Sequence, residues 1–271
     1  MQQKRVGALD ADRLGVLIAS VLLTYALTRL IHSPQFILSV DLPGFYFSYP
    51  LSLSTAMTLL AAGLTATGMD WLLHAHIGVE NKTVTEHLIL PTLTTFVIGA
   101  PLALLPDGQD WWLGFGIAGI LLAGVFLAEV EVVEPSSTYY GLARAGLTAL
   151  AYALFLILVT ALRLAAFRMF LLIPVVFLTS GLITLRILHL DGRDRWDFPW
   201  AVGIGLICTQ IAAGLHYWPL TPIQYGLALV GPLYGLTSLS INLTENIPLV
   251  RAAIGPSLLV GAAWSAAILL R

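Results

Sequence analysis

The sequence predicts an all-α, polytopic transmembrane helical bundle of about nine helices, with eight as the alternative. Two observations of composition carry this prediction: 58% of the 271 residues are hydrophobic and only 10% are charged. The mean hydropathy is +0.88. A soluble domain carries about a quarter of its residues as charges. The composition therefore excludes a water-soluble globule, and we expect residues 1–271 to form a single integral membrane domain.

Each predicted helix is an apolar run of roughly 20 residues, the length that crosses the hydrocarbon core of a bilayer. Continuous apolarity favours helices, because the strands of a membrane barrel alternate polar and apolar residues. In chain order, the predicted helices are 14–32, 51–73, 88–105, 111–128, 143–162, 169–189, 199–218, 223–241 and 253–270. Polar or turn-forming residues follow each helix; in the same order they are Ser33-Pro34, His74, Pro106-Asp107-Gly108, Glu129, Arg163, Asp191-Gly192, Pro219, Asn242 and Arg271.

The distribution of lysine and arginine predicts a cytoplasmic N-terminus. Alternating nine helices from that start places nine of the 13 basic residues on the cytoplasmic side and four outside, in agreement with the positive-inside rule. The four outside residues are Arg29, Arg163, Arg168 and Arg271. The net charge of −2 predicts no nucleic-acid-binding surface. The single cysteine, Cys208, excludes internal disulfides.

A short motif, D-G-x-D-x-W, occurs at Asp107 and again at Asp191, with an offset of 84 residues. The match predicts an internal repeat of three helices, with copies at about 88–162 and 171–241. An odd number of helices per copy inverts the second copy relative to the first. Inverted repeats recur in secondary transporters, which bind substrate near the membrane midplane. The alternative is that both loops independently need an Asp-Gly turn and an interfacial tryptophan.

Histidines and carboxylates collect at the predicted cytoplasmic face. Asp70 and His74 are four residues apart and share a helix face. Together with His87 and His189 they are candidate ligands for zinc, iron or manganese, which imidazole and carboxylate groups suit. The spacing matches no tight metal signature. Interfacial anchoring is the alternative role, and the sequence requires no cofactor.

Polar residues inside or at the ends of the helices are candidates for a transport pathway, because such groups are costly in a membrane. Thr209 and Gln210 form the most central polar pair, in the predicted seventh helix. Arg29 lies near the end of the first helix, and Glu129 and Glu131 lie at the end of the fourth. A pore, a cation site and an ordinary solvated helix end are the alternatives for these residues.

The segment from Phe170 to Gly235 carries the most distinctive landmarks. They are Phe-Leu-Leu-Ile-Pro174, then His-Tyr-Trp-Pro-Leu220, then Gln-Tyr-Gly-Leu227. This segment resembles uncharacterised bacterial multi-pass membrane proteins that are grouped as a domain of unknown function. The resemblance implies a bacterial cytoplasmic membrane and supplies no catalytic residues.

Three functions fit the sequence. The first is a small transporter built on inverted three-helix repeats, which predicts a cavity around Thr209 and Gln210. The second is an accessory or scaffold subunit of a larger membrane complex, which predicts a filled interior. A membrane-protein partner and a homo-oligomer are both left open. The third is a membrane enzyme with a metal site at the cytoplasmic face, although the sequence leans away from an enzyme. Apart from the lipid bilayer, the sequence names no partner.

Overall fold

The computed structural model describes residues 11–31, 36–42, 45–51, 53–77, 85–133, 138–191, 196–245 and 247–270. Within these ranges it has nine helices that are long and apolar enough to cross a membrane. This confirms the predicted polytopic helical bundle. The helices are α1 (Ala11–Leu30), α2 (Leu53–Ile77), α3 (Thr85–Leu104), α4 (Gln109–Val133), α5 (Tyr140–Leu164), α6 (Met169–Leu190), α7 (Phe198–Leu215), α8 (Pro222–Thr244) and α9 (Leu249–Leu269).

A β-hairpin, which the sequence analysis did not predict, lies between α1 and α2. Strand β1 (Phe36–Leu42) pairs antiparallel with β2 (Phe45–Leu51), from Phe36 opposite Leu51 to Leu42 opposite Phe45. Proline is tolerated at Pro50 because it stands near the end of a strand in a two-stranded sheet, where every strand is an edge. The helical bundle therefore carries one small sheet in the described part of the chain.

The helices form two compact units, Met1–Val133 and Glu134–Arg271. In the first unit α1 and α3 each pack on α2 and α4, so that four helices close a ring. In the second unit α5 and α7 each pack on α6 and α8 in the same order, and α9 packs on α8. The boundary after Val133 falls inside the first predicted repeat copy, 88–162. The inverted repeat and the single domain stay predictions.

Helix α8 begins at a complete capping box. The Thr221 hydroxyl accepts a hydrogen bond from the backbone N–H of Gln224 at 3.4 Å, and the Gln224 side chain accepts one from the N–H of Thr221 at 2.8 Å. Pro222 occupies the first turn, where no intrahelical donor is required. These features start the helix at a defined residue and thereby fix Tyr225 in its first turn.

Prolines inside α8 and α9 each free a backbone carbonyl four residues earlier, because proline has no N–H to donate. Pro232 frees the carbonyl of Ala228, which accepts the indole N–H of Trp264 on α9 at 3.1 Å. Pro256 frees the carbonyl of Ala252, which accepts the amide N–H of Asn242 on α8 at 3.0 Å. The two helices therefore satisfy each other's freed carbonyls in both directions.

The same pair of helices approaches closely over two glycines. A Cβ atom added at Gly231 would stand 2.9 Å from the Cβ of Ala263, and one added at Gly235 would stand 2.5 Å from Cγ2 of Val260. Glycines spaced four apart commonly allow membrane helices to pack at short distance. Here the spacing serves contact between α8 and α9 of one chain.

Candidate functional site

The first unit buries a carboxylate–histidine pair where α3 begins and α4 ends. The side chain of Glu129 is 0% exposed, and its Oε2 lies 3.0 Å from Nδ1 of His87, which is 12% exposed. Glu86 is also buried and precedes His87 in the first turn of α3, where an acidic group faces the positive end of the helix dipole. Ionisable groups buried in a membrane protein are candidates for function by default, because burying them is costly.

Hydroxyl groups line the middle of the same unit. The Tyr25 hydroxyl of α1 donates to the backbone carbonyl of Thr95 on α3. The Thr65 hydroxyl of α2 lies 2.8 Å from the Thr95 hydroxyl. All three side chains are buried, and each hydroxyl is hydrogen-bonded, as a buried polar group must be. The interior of the first unit is therefore polar at its centre as well as at the Glu129 end.

Arg29, in the last turn of α1, joins three helices at the opposite end of the first unit. Its guanidinium donates to the carbonyl of Leu105 at the end of α3 and forms an ion pair with Asp107 in the following loop. The guanidinium carbon also lies 5.4 Å from the ring centre of Trp111 in the first turn of α4, within cation–π range. We call this arrangement the Arg29 clasp. A cavity of about 240 Å³ opens beside it, lined also by Gly108 and Trp112.

Arg163 forms the corresponding clasp in the second unit. It lies in the last turn of α5 and donates to the carbonyls of His216 and Trp218, at 2.8 and 3.2 Å, in the segment between α7 and α8. Its guanidinium carbon lies 5.2 Å from the ring centre of Tyr225 in the first turn of α8. Each unit therefore uses an arginine of its first helix to tie the connection between its third and fourth helices.

The pH dependence of the Arg163 clasp follows from His216. Burial and the neighbouring Arg163 guanidinium lower the pKa of the His216 imidazole below its ordinary value. The unfolded state then binds a proton more readily than the folded state, so stability falls as the pH drops below about 6.5. We expect a lower Tm at about pH 5 than at about pH 7.5, and a smaller difference in a His216→Gln variant. The shift should be small, because the residue is partly exposed. Equal pH dependence in both proteins would contradict this assignment.

The structure brings the metal-ligand candidates together only in part. Nδ1 of His74 lies 3.3 Å from Oδ1 of Asp70, and both side chains are half-exposed. His87 pairs with Glu129 instead, and His189, whose ring lies 6.1 Å from that of Trp196, belongs to the second unit. Among the described residues, no group of three or more His, Cys, Asp or Glu side chains is arranged to hold a metal ion. The geometry gives the metal hypothesis no support.

The polar midplane candidates on α7 point in different directions. Thr209 is buried, and its hydroxyl donates to the carbonyl of Gly205 one turn earlier at 2.7 Å. Gln210 is exposed. Glu131, two residues beyond Glu129, is only partly buried. The predicted cavity around Thr209 and Gln210 is therefore not supported by the placement of these two side chains.

Two buried ionisable side chains, Glu86 and Arg186, are not among the site candidates that the sequence indicates. The side chain of Arg186, four residues before the end of α6 at Leu190, is 0% exposed within the second unit. The signal in the sequence is that its immediate neighbours Leu185 and Ile187 are apolar and that it stands inside a helix long enough to span a membrane. An arginine inside an apolar helix is a stronger candidate for a structural or functional role than one in a loop.

No curated protein and no solved structure matches the chain. A family profile matches residues 32–270, a longer segment than the C-terminal half in which the landmark residues were recognised. Because this match spans most of the chain, the protein belongs to the family described as a protein of unknown function, DUF5656.

Proposed function

We propose that this membrane protein is a proton-linked transporter whose proton-binding group is the Glu129–His87 pair. The observation that carries the proposal is the complete burial of the Glu129 carboxylate beside an imidazole, within a helix long enough to span a membrane. Intramembrane carboxylates and histidines commonly bind the protons that drive transport. Apolar side chains commonly replace a buried ion pair without loss of stability, so stability alone does not account for the presence of this pair.

The position of the pair suits this role. Glu129 stands four residues before Val133, the last residue of α4, about 6 Å inside the helix end. It is therefore close enough to the aqueous phase to exchange protons and still enclosed by the helices of the first unit. His87 lies in the first turn of α3, so a change in the charge of the pair acts directly on the contact between α3 and α4.

The chemistry of the pair supplies a two-state element. With the carboxylate ionised, the imidazole N–H can donate to Oε2 of Glu129. Arrival of a proton either neutralises the carboxylate or charges the imidazole, and in both cases the electrostatic balance across the α3–α4 contact changes. The hydroxyls of Tyr25, Thr65 and Thr95 make the interior of the same unit polar, and all three are hydrogen-bonded within the unit.

The topology belongs to the same proposal. We place the protein in a bacterial cytoplasmic membrane with a cytoplasmic N-terminus, supported by the nine-to-four distribution of basic residues. In that orientation the Glu129–His87 pair lies toward the cytoplasm and the Arg29 clasp toward the outside. In this proposal, protonation of the Glu129–His87 pair controls the cytoplasmic end of the first unit, and the Arg29 clasp controls its outer end. The two ends can therefore open at different times.

The test is proton movement in liposomes that contain the purified full-length protein and a pH-sensitive dye. Amino acids, sugars, monocarboxylates, nucleosides and divalent cations are added in turn. We expect at least one class to drive proton flux above that of protein-free liposomes, and Glu129→Gln to abolish that flux. Asp70→Asn is the matched control, because Asp70 is a half-exposed carboxylate of the same unit beside a histidine.

Two outcomes would count against the proposal. The first is a folded protein that moves protons with none of the solute classes. The second is a flux that survives Glu129→Gln. A reproducible complex with another membrane protein, seen by native mass spectrometry of gently extracted material, would favour the accessory-subunit hypothesis instead.

A further inference from the structure

The two arginine clasps have the same position in their units but different surroundings. Arg163 donates hydrogen bonds to two backbone carbonyls, and its guanidinium lies over the ring of Tyr225. Arg29 faces a carboxylate, Asp107, and borders a cavity of about 240 Å³. The Arg29 clasp therefore has two features that are not needed to hold helices together. These are the Asp107 carboxylate opposite the guanidinium and the cavity beside it.

The cavity presents both signs of charge and an aromatic face. Asp107 is 83% exposed and Arg29 is 30% exposed, so the ion pair is accessible from outside the protein. The ring of Trp112 is exposed as well and stands edge-on to that of Trp111, with ring centres 5.0 Å apart. A guanidinium binds phosphate oxygens in a bidentate fashion. A carboxylate together with an indole face binds ammonium groups.

The cavity lies at the depth of the lipid headgroups. Arg29 is in the last turn of α1, and Trp111 and Trp112 are in the first turn of α4, so all three stand at the ends of membrane-spanning helices. Tryptophans at this level anchor membrane proteins in the interfacial region. The volume is below the roughly 300 Å³ of pockets for drug-sized ligands, and suits a small polar group.

We propose that this cavity binds the headgroup of a zwitterionic phospholipid of the ethanolamine class. The lipid phosphate binds the guanidinium of Arg29, and the lipid ammonium lies between the carboxylate of Asp107 and the face of the Trp112 ring. The Arg29–Asp107 pair is neutral as a whole, so a ligand with one charge of each sign replaces the internal ion pair without changing the net charge. An anionic lipid would leave Asp107 opposed to a second negative charge.

The carboxylate also selects among zwitterionic lipids. A primary ammonium donates hydrogen bonds to Asp107, whereas a quaternary choline has no N–H to donate. Charge-assisted hydrogen bonds are the strong ones, so ethanolamine lipid is preferred over choline lipid. This inference does not depend on the proposed transport activity or on the orientation of the chain in the membrane.

The test is native mass spectrometry of the full-length protein with added phosphatidylethanolamine, phosphatidylcholine or phosphatidylglycerol of identical acyl chains. We expect the ethanolamine lipid to bind about tenfold more tightly than either of the others. Asp107→Asn should remove this preference and raise binding of phosphatidylglycerol, because the site then carries a net positive charge. Trp112→Leu should weaken ethanolamine binding while leaving the Arg29 clasp intact.

The matched control is Arg163→Gln, which alters the clasp that has no carboxylate partner among the described residues and should leave the lipid preference unchanged. Arg29→Gln is tested alongside, but the proposal rests on Asp107→Asn and Trp112→Leu, since both side chains are exposed and their loss should not unfold the unit. Equal binding of all three lipids, or a preference that survives both variants, would overturn the site. Equally tight binding of glycerophosphoethanolamine, which has no acyl chains, would show that the ligand is a soluble headgroup compound and would overturn the assignment of a membrane lipid.

Discussion

Replacing His87 with leucine is expected to destabilise the protein by about 3 kcal/mol or more. The change removes the imidazole that lies 3.0 Å from the wholly buried carboxylate of Glu129. A charge buried beside a lost partner either stays ionised at a high cost in free energy or takes up a proton. The measurement is the free energy of unfolding in mixed micelles, followed by far-UV circular dichroism.

A second substitution separates two contributions to this destabilisation. One is the electrostatic cost of removing the imidazole beside Glu129, and the other is the cost of lost packing at residue 87. We expect the double variant His87→Leu/Glu129→Met to lie within about 1 kcal/mol of the wild type, because apolar pairs commonly replace buried ion pairs without loss of stability. The double-mutant cycle then shows strong coupling between the two positions. If the double variant were as unstable as His87→Leu alone, the cost would come from packing and not from the charge.

The chain offers a matched control for this experiment in its other histidine–carboxylate pair. His74 and Asp70 are in the same unit with Nδ1 and Oδ1 3.3 Å apart, but both side chains are about half-exposed. Exposed pairs contribute at most about 1 kcal/mol, since water already solvates both groups. We therefore expect His74→Leu to change stability little. A cost equal to that of His87→Leu would mean that burial does not distinguish the two pairs.

The helices were predictable from sequence because a membrane span needs a continuous apolar run, which local composition reveals. All nine predicted spans are confirmed, with ends that differ by a few residues. The β-hairpin was missed although its signal was present: Pro43-Gly44 separates two runs rich in aromatic and β-branched residues, which is typical of a hairpin. These two runs are short beside the long apolar runs on either side of them, and the overall apolar composition favours helices throughout the chain.

The site was less predictable, because side-chain pairing depends on which helices are neighbours. The sequence predicts Glu129 and His87 at one face of the membrane, but it grouped His87 with Asp70, His74 and His189 as candidate metal ligands and not with Glu129. Forty-two residues separate His87 from Glu129, and only the packing of α3 on α4 brings them together. Local spacing showed the Asp70–His74 pair, since four residues on a helix define a face.

The clasps also bear on two of the arginines that the predicted topology places outside. Arg29 and Arg163 are two of the four basic residues on the predicted outer side, where the positive-inside rule disfavours them. Each arginine is fixed by carbonyls of its own unit, so local hydrogen bonding accounts for its position. The two clasps are four helices apart, on α1 and α5, whereas the two D-G-x-D-x-W motifs are three helices apart, after α3 and after α6. The clasps therefore relate the two four-helix units and not the predicted three-helix repeat copies.

Replacing Gly231 with valine is expected to release α9 from α8, with a loss of about 3 kcal/mol. A Cβ at this position would stand 2.9 Å from the Cβ of Ala263 and 3.6 Å from the Cα of Val260, so the helices must move apart. Overpacking alone costs about 1–3 kcal/mol. Separation also breaks the hydrogen bonds of Trp264 and Asn242 to the proline-freed carbonyls, each worth about 1 kcal/mol.

The control is Gly261→Val, because a Cβ at Gly261 on α9 meets no heavy atom within 4 Å. Both substitutions add the same β-branched side chain to a membrane helix and differ only in whether it faces the neighbouring helix. Hydrogen exchange in nanodiscs should rise along α9 in Gly231→Val alone, with Trp264→Phe giving a smaller rise from loss of one donor. Equal exchange in the two valine variants would mean that α9 is held by the surrounding lipid and not by α8, because only direct helix contact distinguishes the two positions.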